Sequence, residues 1–222
     1  MFIGHYGPAL GAKAALHRIP LFVLFLAVQW LDVVWSVLVM AGIENARVVP
    51  GLMEGSTLDL YDMPYTHGLL GAVVLSALFG GCVALFMRTD RVAVFWIVTL
   101  CAFSHWILDF LVHRPDLLIY SDIKVGLGLW RWIRVSLPLE LILLLIGAWL
   151  YARYVPARGY GNAALWVFVA FMTSLQLYAT FGPAPVSPIA EARTALVAYL
   201  ALAALAGLVD LTRQRGKPHL RP

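Results

Sequence analysis

The residues that could do chemistry in this chain are histidines and aspartates set inside long apolar runs. His105, Asp109 and His113 follow one another at i, i+4 and i+8. They therefore stack along one helix face. Asp32 stands within Gln29-Trp30-Leu31-Asp32-Val33-Val34-Trp35, and His67 opens another run as Tyr65-Thr66-His67-Gly68. His5 follows Gly4 near the first residue, and Glu140 lies a few residues into a later run. A charged side chain at the bilayer centre costs about 2.5–3.5 kcal/mol, so each of these groups needs a partner or a cavity. Neutral imidazole with carboxylate is a ligand set for zinc, manganese or iron, and a bound cation would remove most of that cost.

The elements that must position these residues follow from composition. The 222 residues are 62% hydrophobic and only 13% charged, with a mean hydropathy of +0.84. A soluble domain carries about a quarter charged residues. A spanning helix needs about 20 apolar residues. Such runs occur at 19–42, 67–87, 92–113, 135–152, 163–182 and 192–211. The expected fold is all-α: one polytopic transmembrane bundle over 1–222, with about six spanning helices. Residues 1–116 carry the candidate metal site, and 117–222 supply supporting helices and a basic C-terminal tail. The first run follows Lys13 and Arg18 but contains Asp32 and lacks a small-x-small cleavage site, so it is not read as a signal peptide. Cys82 and Cys101 both lie in apolar runs and read as packing residues.

Lys and Arg counts orient the bundle. One side carries Lys13, Arg18, Arg88, Arg91, Arg153, Arg158, Arg213, Arg215, Lys217 and Arg221; the other carries Arg47, Arg114, Lys124, Arg131, Arg134 and Arg193. The positive-inside rule puts the C-terminus in the cytoplasm and the two long loops, 43–66 and 114–134, outside. His17 and His219 read as surface residues. Trp130, Trp132, Tyr151 and Tyr154 read as interfacial anchors. The short segment before the first run either lies flat on the cytoplasmic surface or forms one arm of a hairpin in the membrane. In the hairpin, His5 and Asp32 each stand about twelve residues from a turn near His17 to Pro20, so both rise about 18 Å.

From the turn at Arg91, His105 rises about 21 Å and Asp109 about 27 Å. Helices carrying Asp32, His67 and His105 thus bring their polar groups into one outer layer. The expected ligands are His5, Asp32, His67, His105 and Asp109, with Asp109 and Asp32 as catalytic carboxylates and Thr66, Ser104, His113 and Glu140 as supporting groups. Plainer readings stand beside this one. A His–Asp pair at i, i+4 is often a satisfied polar pair, His67 could be interfacial, and Asp32 could pair with an arginine. Glu140 could support the site or pair with Arg134.

These residues carry a resemblance. In order, Gly4-His5, Asp32, Thr66-His67-Gly68 and Ser104-His105 with Asp109 resemble the elements of a bacterial inner-membrane family of predicted metal-dependent hydrolases that includes a LexA-regulated member. The resemblance covers about residues 1–116. It implies a metal held by these histidines and aspartates, and a hydrolytic activity. The family's Asp-x-Asp-His is here Asp32-Val33-Val34, its Ser after Thr-His is Gly68, and Met63-Pro64-Tyr65 stands where an Arg often precedes Thr-His. The chain also looks like bacterial membrane proteins that share Asp-Leu-Tyr, Pro-Tyr-Thr-His and His-Arg-Pro-Asp elements.

Three functions follow as expectations. The first is an intramembrane hydrolase using a divalent transition metal, zinc foremost and manganese or iron as alternatives. It would act on a lipid or lipid-linked ester or phosphoester in the outer half of a bacterial inner membrane. The second is a proton or ion transporter. The third is a non-catalytic scaffold or partner subunit. No Gly-x-Ser-x-Gly element is present, which disfavours a serine hydrolase. Membrane lipids are the expected partners, and the basic residues at helix ends report topology rather than nucleic-acid binding.

Overall fold

A computed structural model describes residues 1–88 and 90–213. The basic tail expected beyond Arg213, with Arg215, Lys217, His219 and Arg221, lies outside the described residues, as does Thr89. The chain forms a helical bundle. Five helices are each long and apolar enough to cross a membrane: α4 (Leu69–Phe86), α5 (Arg91–Val112), α6 (Ile133–Tyr154), α7 (Gly161–Phe181) and α8 (Pro188–Leu211). Large apolar side chains such as Leu70, Leu85, Phe86, Val92 and Val167 point outward from them. Such a surface suits lipid and not water, and it marks an integral membrane protein.

The first apolar run is not one continuous helix. It divides into α2 (Leu21–Val28) and α3 (Trp30–Met40), which meet at Gln29 with a bend of 56°. A break at membrane depth frees backbone groups that neighbouring residues must satisfy. Here the Val28 carbonyl accepts from His105 Nδ1 at 2.7 Å, and the Gln29 side-chain amide donates to the Phe2 carbonyl at 3.2 Å. The bend delivers Asp32, in the first turn of α3, to the same layer as His105.

Of the two placements left open for the N-terminal segment, the structure adopts the hairpin. Helix α1 (Tyr6–Ala15) packs on α2 and α6 inside the bundle, and Ile3, His5, Tyr6 and Ala9 are completely buried. The turn at its far end is held by Lys13. This residue is counted above as a topology signal, yet it is only 3% exposed. Its Nζ donates to the carbonyls of His17 and Ile19, each at 2.9 Å, and to Asp210 Oδ2 at 2.8 Å. Tyr151 is not the expected interfacial anchor either: it is fully buried and donates its hydroxyl to Asp210 Oδ1 at 2.8 Å. Trp132 and Tyr154 do face outward. Replacing Lys13 with Met should destabilise the protein by about 3 kcal/mol, because Asp210 would stay buried without its cation. Thermal unfolding in detergent measures this; an unchanged midpoint would show that the Lys13–Asp210 pair does not hold the turn.

The long loops contain strands that the sequence reading treats as coil. Strands β1 (Asn45–Val48) and β2 (Leu58–Asp62) pair antiparallel, with Val48 opposite Leu58, and β3 (Leu117–Tyr120) pairs antiparallel with β4 (Ile123–Val125). The two hairpins dock on each other at one end of the bundle. Gly55 N–H donates to the Trp130 carbonyl at 2.8 Å, Lys124 Nζ donates to the Tyr61 carbonyl at 2.7 Å, and Arg114 pairs with Asp59.

Candidate metal centre

The centre lies beneath these hairpins, where four pieces of chain meet. His5 comes from the single 3-10 turn that precedes α1. Asp32 comes from α3, His67 from the turn before α4, and His105 and Asp109 from the C-terminal part of α5. All five expected ligand residues come together, and four of them are almost completely buried. Two groups of three could hold a metal ion: His5, His105 and Asp109, and Asp32, His67 and His105.

Asp109 is the hub. Its Oδ1 lies 3.2 Å from His5 Nε2 and 2.5 Å from the Met1 amino nitrogen. Its Oδ2 lies 3.0 Å from His105 Nε2, 3.5 Å from His67 Nε2 and 3.6 Å from His113 Nε2. Asp32 Oδ1 stands 3.3 Å from His67 Nε2 and 3.5 Å from His105 Nε2. Asp32 therefore pairs with histidines and not with an arginine. Its second oxygen accepts from the Tyr199 hydroxyl at 2.8 Å.

The protons on the outer ring nitrogens explain why these contacts favour a cation. His105 Nδ1 meets the Val28 carbonyl, which can only accept, so that nitrogen carries the proton. In His67, Nδ1 lies 2.8 Å from the Thr66 hydroxyl, whose own hydrogen goes to Glu44 Oε2 at 2.6 Å. The Thr66 oxygen must then accept from His67. His113 Nδ1 lies 3.0 Å from Asp116 Oδ1, the carboxylate–histidine pairing that orients many metal-bound rings. With each ring neutral, Nε2 is left as a bare lone pair facing carboxylate oxygens, which are also acceptors. His105 Nε2 is buried and close to Asp109, yet lies off the line a hydrogen bond requires. Groups converging in this way need positive charge between them, which protons on the rings or a divalent metal can supply. The donor set fits such an ion.

Thr66 joins the centre as expected, through a link that continues to Glu44. Glu44 is buried and also accepts from the backbone N–H groups of Tyr65 and Thr66, both at 2.9 Å. Gly68 completes the turn. A Cβ there would sit 2.3 Å from the Pro64 carbonyl oxygen, so even the Ser found at this place in the resembled family would clash. Trp106 Nε1 holds the His67 carbonyl at 3.0 Å. Thr66→Val should keep the shape of this turn but remove the acceptor for His67 Nδ1–H. Loss of such an orienting partner weakens metal affinity by about 10–100-fold. Competition against a chelator reads this out, and retention equal to wild type would remove Thr66 from the centre.

Other expected supporting residues fall differently. His113 stands beside Asp109 at ligand distance, closer in than its boundary position suggests. Ser104 does not join the cluster: its hydroxyl donates to the Cys101 carbonyl at 2.7 Å, within its own helix. Glu140 neither pairs with Arg134 nor faces the histidines directly. Its Oε2 accepts from the backbone N–H groups of Phe2 at 2.7 Å and Gly4 at 3.3 Å, which anchors the segment carrying His5. Trp130, expected at the interface, instead lies over His113 with ring centroids 4.6 Å apart. Glu44, Tyr199 and Gln176 escaped the sequence reading. Gln176 Oε1 accepts from Ile3 N–H at 3.3 Å. Helices α6, α7 and α8, from the half expected to supply support, hold the centre from behind through Glu140, Gln176 and Tyr199.

Fold and site together define an integral membrane helical bundle with a buried histidine–aspartate cluster able to bind a metal ion. No protein-family model, curated protein or solved structure matches the chain.

Proposed function

We propose that this chain is an intramembrane metal-dependent hydrolase acting on a lipid or lipid-linked ester or phosphoester. The observation that carries the reading is the set of three imidazole Nε2 atoms, each oriented by a partner on its far nitrogen, that face the carboxylates of Asp32 and Asp109. His5, Asp32, His67, His105 and Asp109 would hold the ion, with zinc favoured by the imidazole-rich set and manganese or iron as alternatives. Such an ion supplies a water acidified to near neutrality and a polarised ester oxygen. Asp32 has the most exposed side chain of the five, at 15%, so substrate reaches the centre from the side of α3 and α8. On that side Tyr199 fixes one Asp32 oxygen and leaves the other toward the histidines. Asp109 is shut inside and orients the rings. Asp32 is the carboxylate placed to take a proton from an attacking water.

The family resemblance of Gly4-His5, Thr66-His67 and Ser104-His105 with Asp109 supports the same reading. The shared depth of these residues along their apolar runs supports a reaction in the outer half of a bacterial inner membrane, with the C-terminus in the cytoplasm. The excess of Lys and Arg near one set of helix ends supports that orientation, although Lys13 and Arg213 of that set are engaged in buried contacts. Metal analysis of detergent-purified protein, beside His67→Ala and His105→Ala, is the test. Transition metal in the wild type, lost in both variants and accompanied by hydrolysis of lipid esters or phosphoesters, is the expected outcome. Absence of metal after loading with zinc and manganese would defeat the proposal.

A proton or ion pathway is the second reading. It is favoured by the chain of contacts running outward from Asp109 through His113, Asp116 and Arg114 to Asp59. Under this reading Asp109→Asn abolishes flux into proteoliposomes, whereas a hydrolase shows no flux to lose.

A further inference from the structure

We infer that the centre holds two metal ions, one on each oxygen of Asp109. The inference rests on the metal-site reading above and assigns the ligands within it. His5 and His105 are stacked, with ring centroids 3.9 Å apart and planes inclined by only 6°. The lone pair of an imidazole nitrogen lies in the plane of its ring. The ligand atoms of His5, His105 and Asp109 lie close enough together to share an ion, but with the two rings parallel and one over the other their lone pairs cannot both aim at it. A single-ion site would instead need the rings fanned around a common point, as tetrahedral coordination demands.

The two stacked rings flank different oxygens of one carboxylate. His5 Nε2 stands 3.2 Å from Asp109 Oδ1, and His105 Nε2 stands 3.0 Å from Asp109 Oδ2. His67 lies on the Oδ2 side as well, at 3.5 Å, and its ring is turned 64° from that of His105. Asp32 Oδ1 reaches both of these histidines. One ion position is therefore built by Asp32, His67, His105 and Asp109 Oδ2, with His113 beside it. The other is built by His5 and Asp109 Oδ1, where the Met1 amino nitrogen also stands, 2.5 Å from that oxygen. His5 is completely buried, and neither of its ring nitrogens has a hydrogen-bond partner among the described residues. A histidine kept only for packing would not be left so. A carboxylate held between two ions is the usual bridge of dinuclear centres, whose ions stand about 3.5–4 Å apart.

The test needs no substrate. Full-length protein in detergent is loaded with manganese(II), desalted, and measured by mass spectrometry and by electron paramagnetic resonance, beside His5→Gln. Wild type should retain about two ions per chain with an exchange-coupled spectrum, and His5→Gln about one ion with an uncoupled signal. A single uncoupled ion in the wild type would overturn the inference while leaving the metal centre intact. No retained ion in the wild type would overturn both. The wild-type measurement decides the matter even where the variant fails to fold.

Discussion

Asp109→Asn empties the centre. The change is nearly isosteric, so the C-terminal part of α5 keeps its packing, but the hub loses its charge and one of its acceptors. Four imidazoles approach this carboxylate, three on Oδ2 and one on Oδ1. Loss of a group that merely orients a ligand costs about 10–100-fold in metal affinity, and loss of the shared ligand itself should exceed the upper end of that range. The expected result is protein that elutes as wild type does from a sizing column but retains metal below about a hundredth of the wild-type level at matched free metal. The control is Ser104→Ala, one turn from Asp109 on the same helix, whose hydroxyl is committed to the Cys101 carbonyl. It should retain metal normally. Equal metal in the Asp109 and Ser104 variants would mean that the histidines are satisfied by protons, and the polar-pair reading of the cluster would then stand.

Why the ligands were legible and their support was not is a matter of range. His105, Asp109 and His113 share one helix, and helical periodicity alone puts them on one face. Asp32 and His67 stand out because an ionisable group in an apolar run demands an explanation. Glu44 carries no such signal, because it sits among loop residues where a carboxylate is ordinary. Only the fold of β1 and β2 brings it under Thr66. Tyr199 and Gln176 are unremarkable in their helices, and their roles come from contacts 167 and 173 residues away in sequence. Trp130 and Tyr151 were misjudged for one reason: an aromatic side chain near a helix end suits the interface, but a buried partner overrides that preference. For Trp130 the partner is the His113 ring, and for Tyr151 it is Asp210.

The fold divides in the same way. Spans α4 to α8 follow from hydropathy and length. The bend between α2 and α3 does not, because Leu21–Val28 and Trp30–Met40 read as one apolar run across Gln29. What makes the break tolerable is a pair of partners far off in the chain, His105 and Phe2, waiting for the groups it frees or adds. The strands in the long loops are hidden for a different reason. At three to five residues each, they are too short for alternation to emerge as a pattern.

Besides its hydrogen-bonded anchors, the position of His5 depends on a close contact between backbones, and Gly147→Leu should destroy that contact. Helices α1 and α6 approach so closely at Gly7 and Gly147 that a Cβ on Gly147 would lie 2.4 Å from the Gly7 carbonyl oxygen. A Cβ on Gly7 would likewise lie 2.4 Å from the Leu143 carbonyl oxygen. Small residues that let backbones meet are how helices associate inside membranes, where apolar burial gives little drive. The obstacle on each side is a carbonyl in a helix, which cannot swing away as a side chain can. A leucine at 147 must therefore push α1 outward, and His5 begins the segment that moves. Overpacking of a close contact costs about 1–3 kcal/mol when side chains yield, and a contact with backbone belongs at or above the top of that range. The expected protein is poorly stable in detergent and has lost the metal position that depends on His5. Gly11→Leu is the matched control on α1, since a Cβ there would meet only a Leu150 methyl at 3.7 Å, an ordinary contact. Wild-type stability and metal content in Gly147→Leu would place α1 outside the bundle, flat on the membrane surface, with His5 removed from the centre.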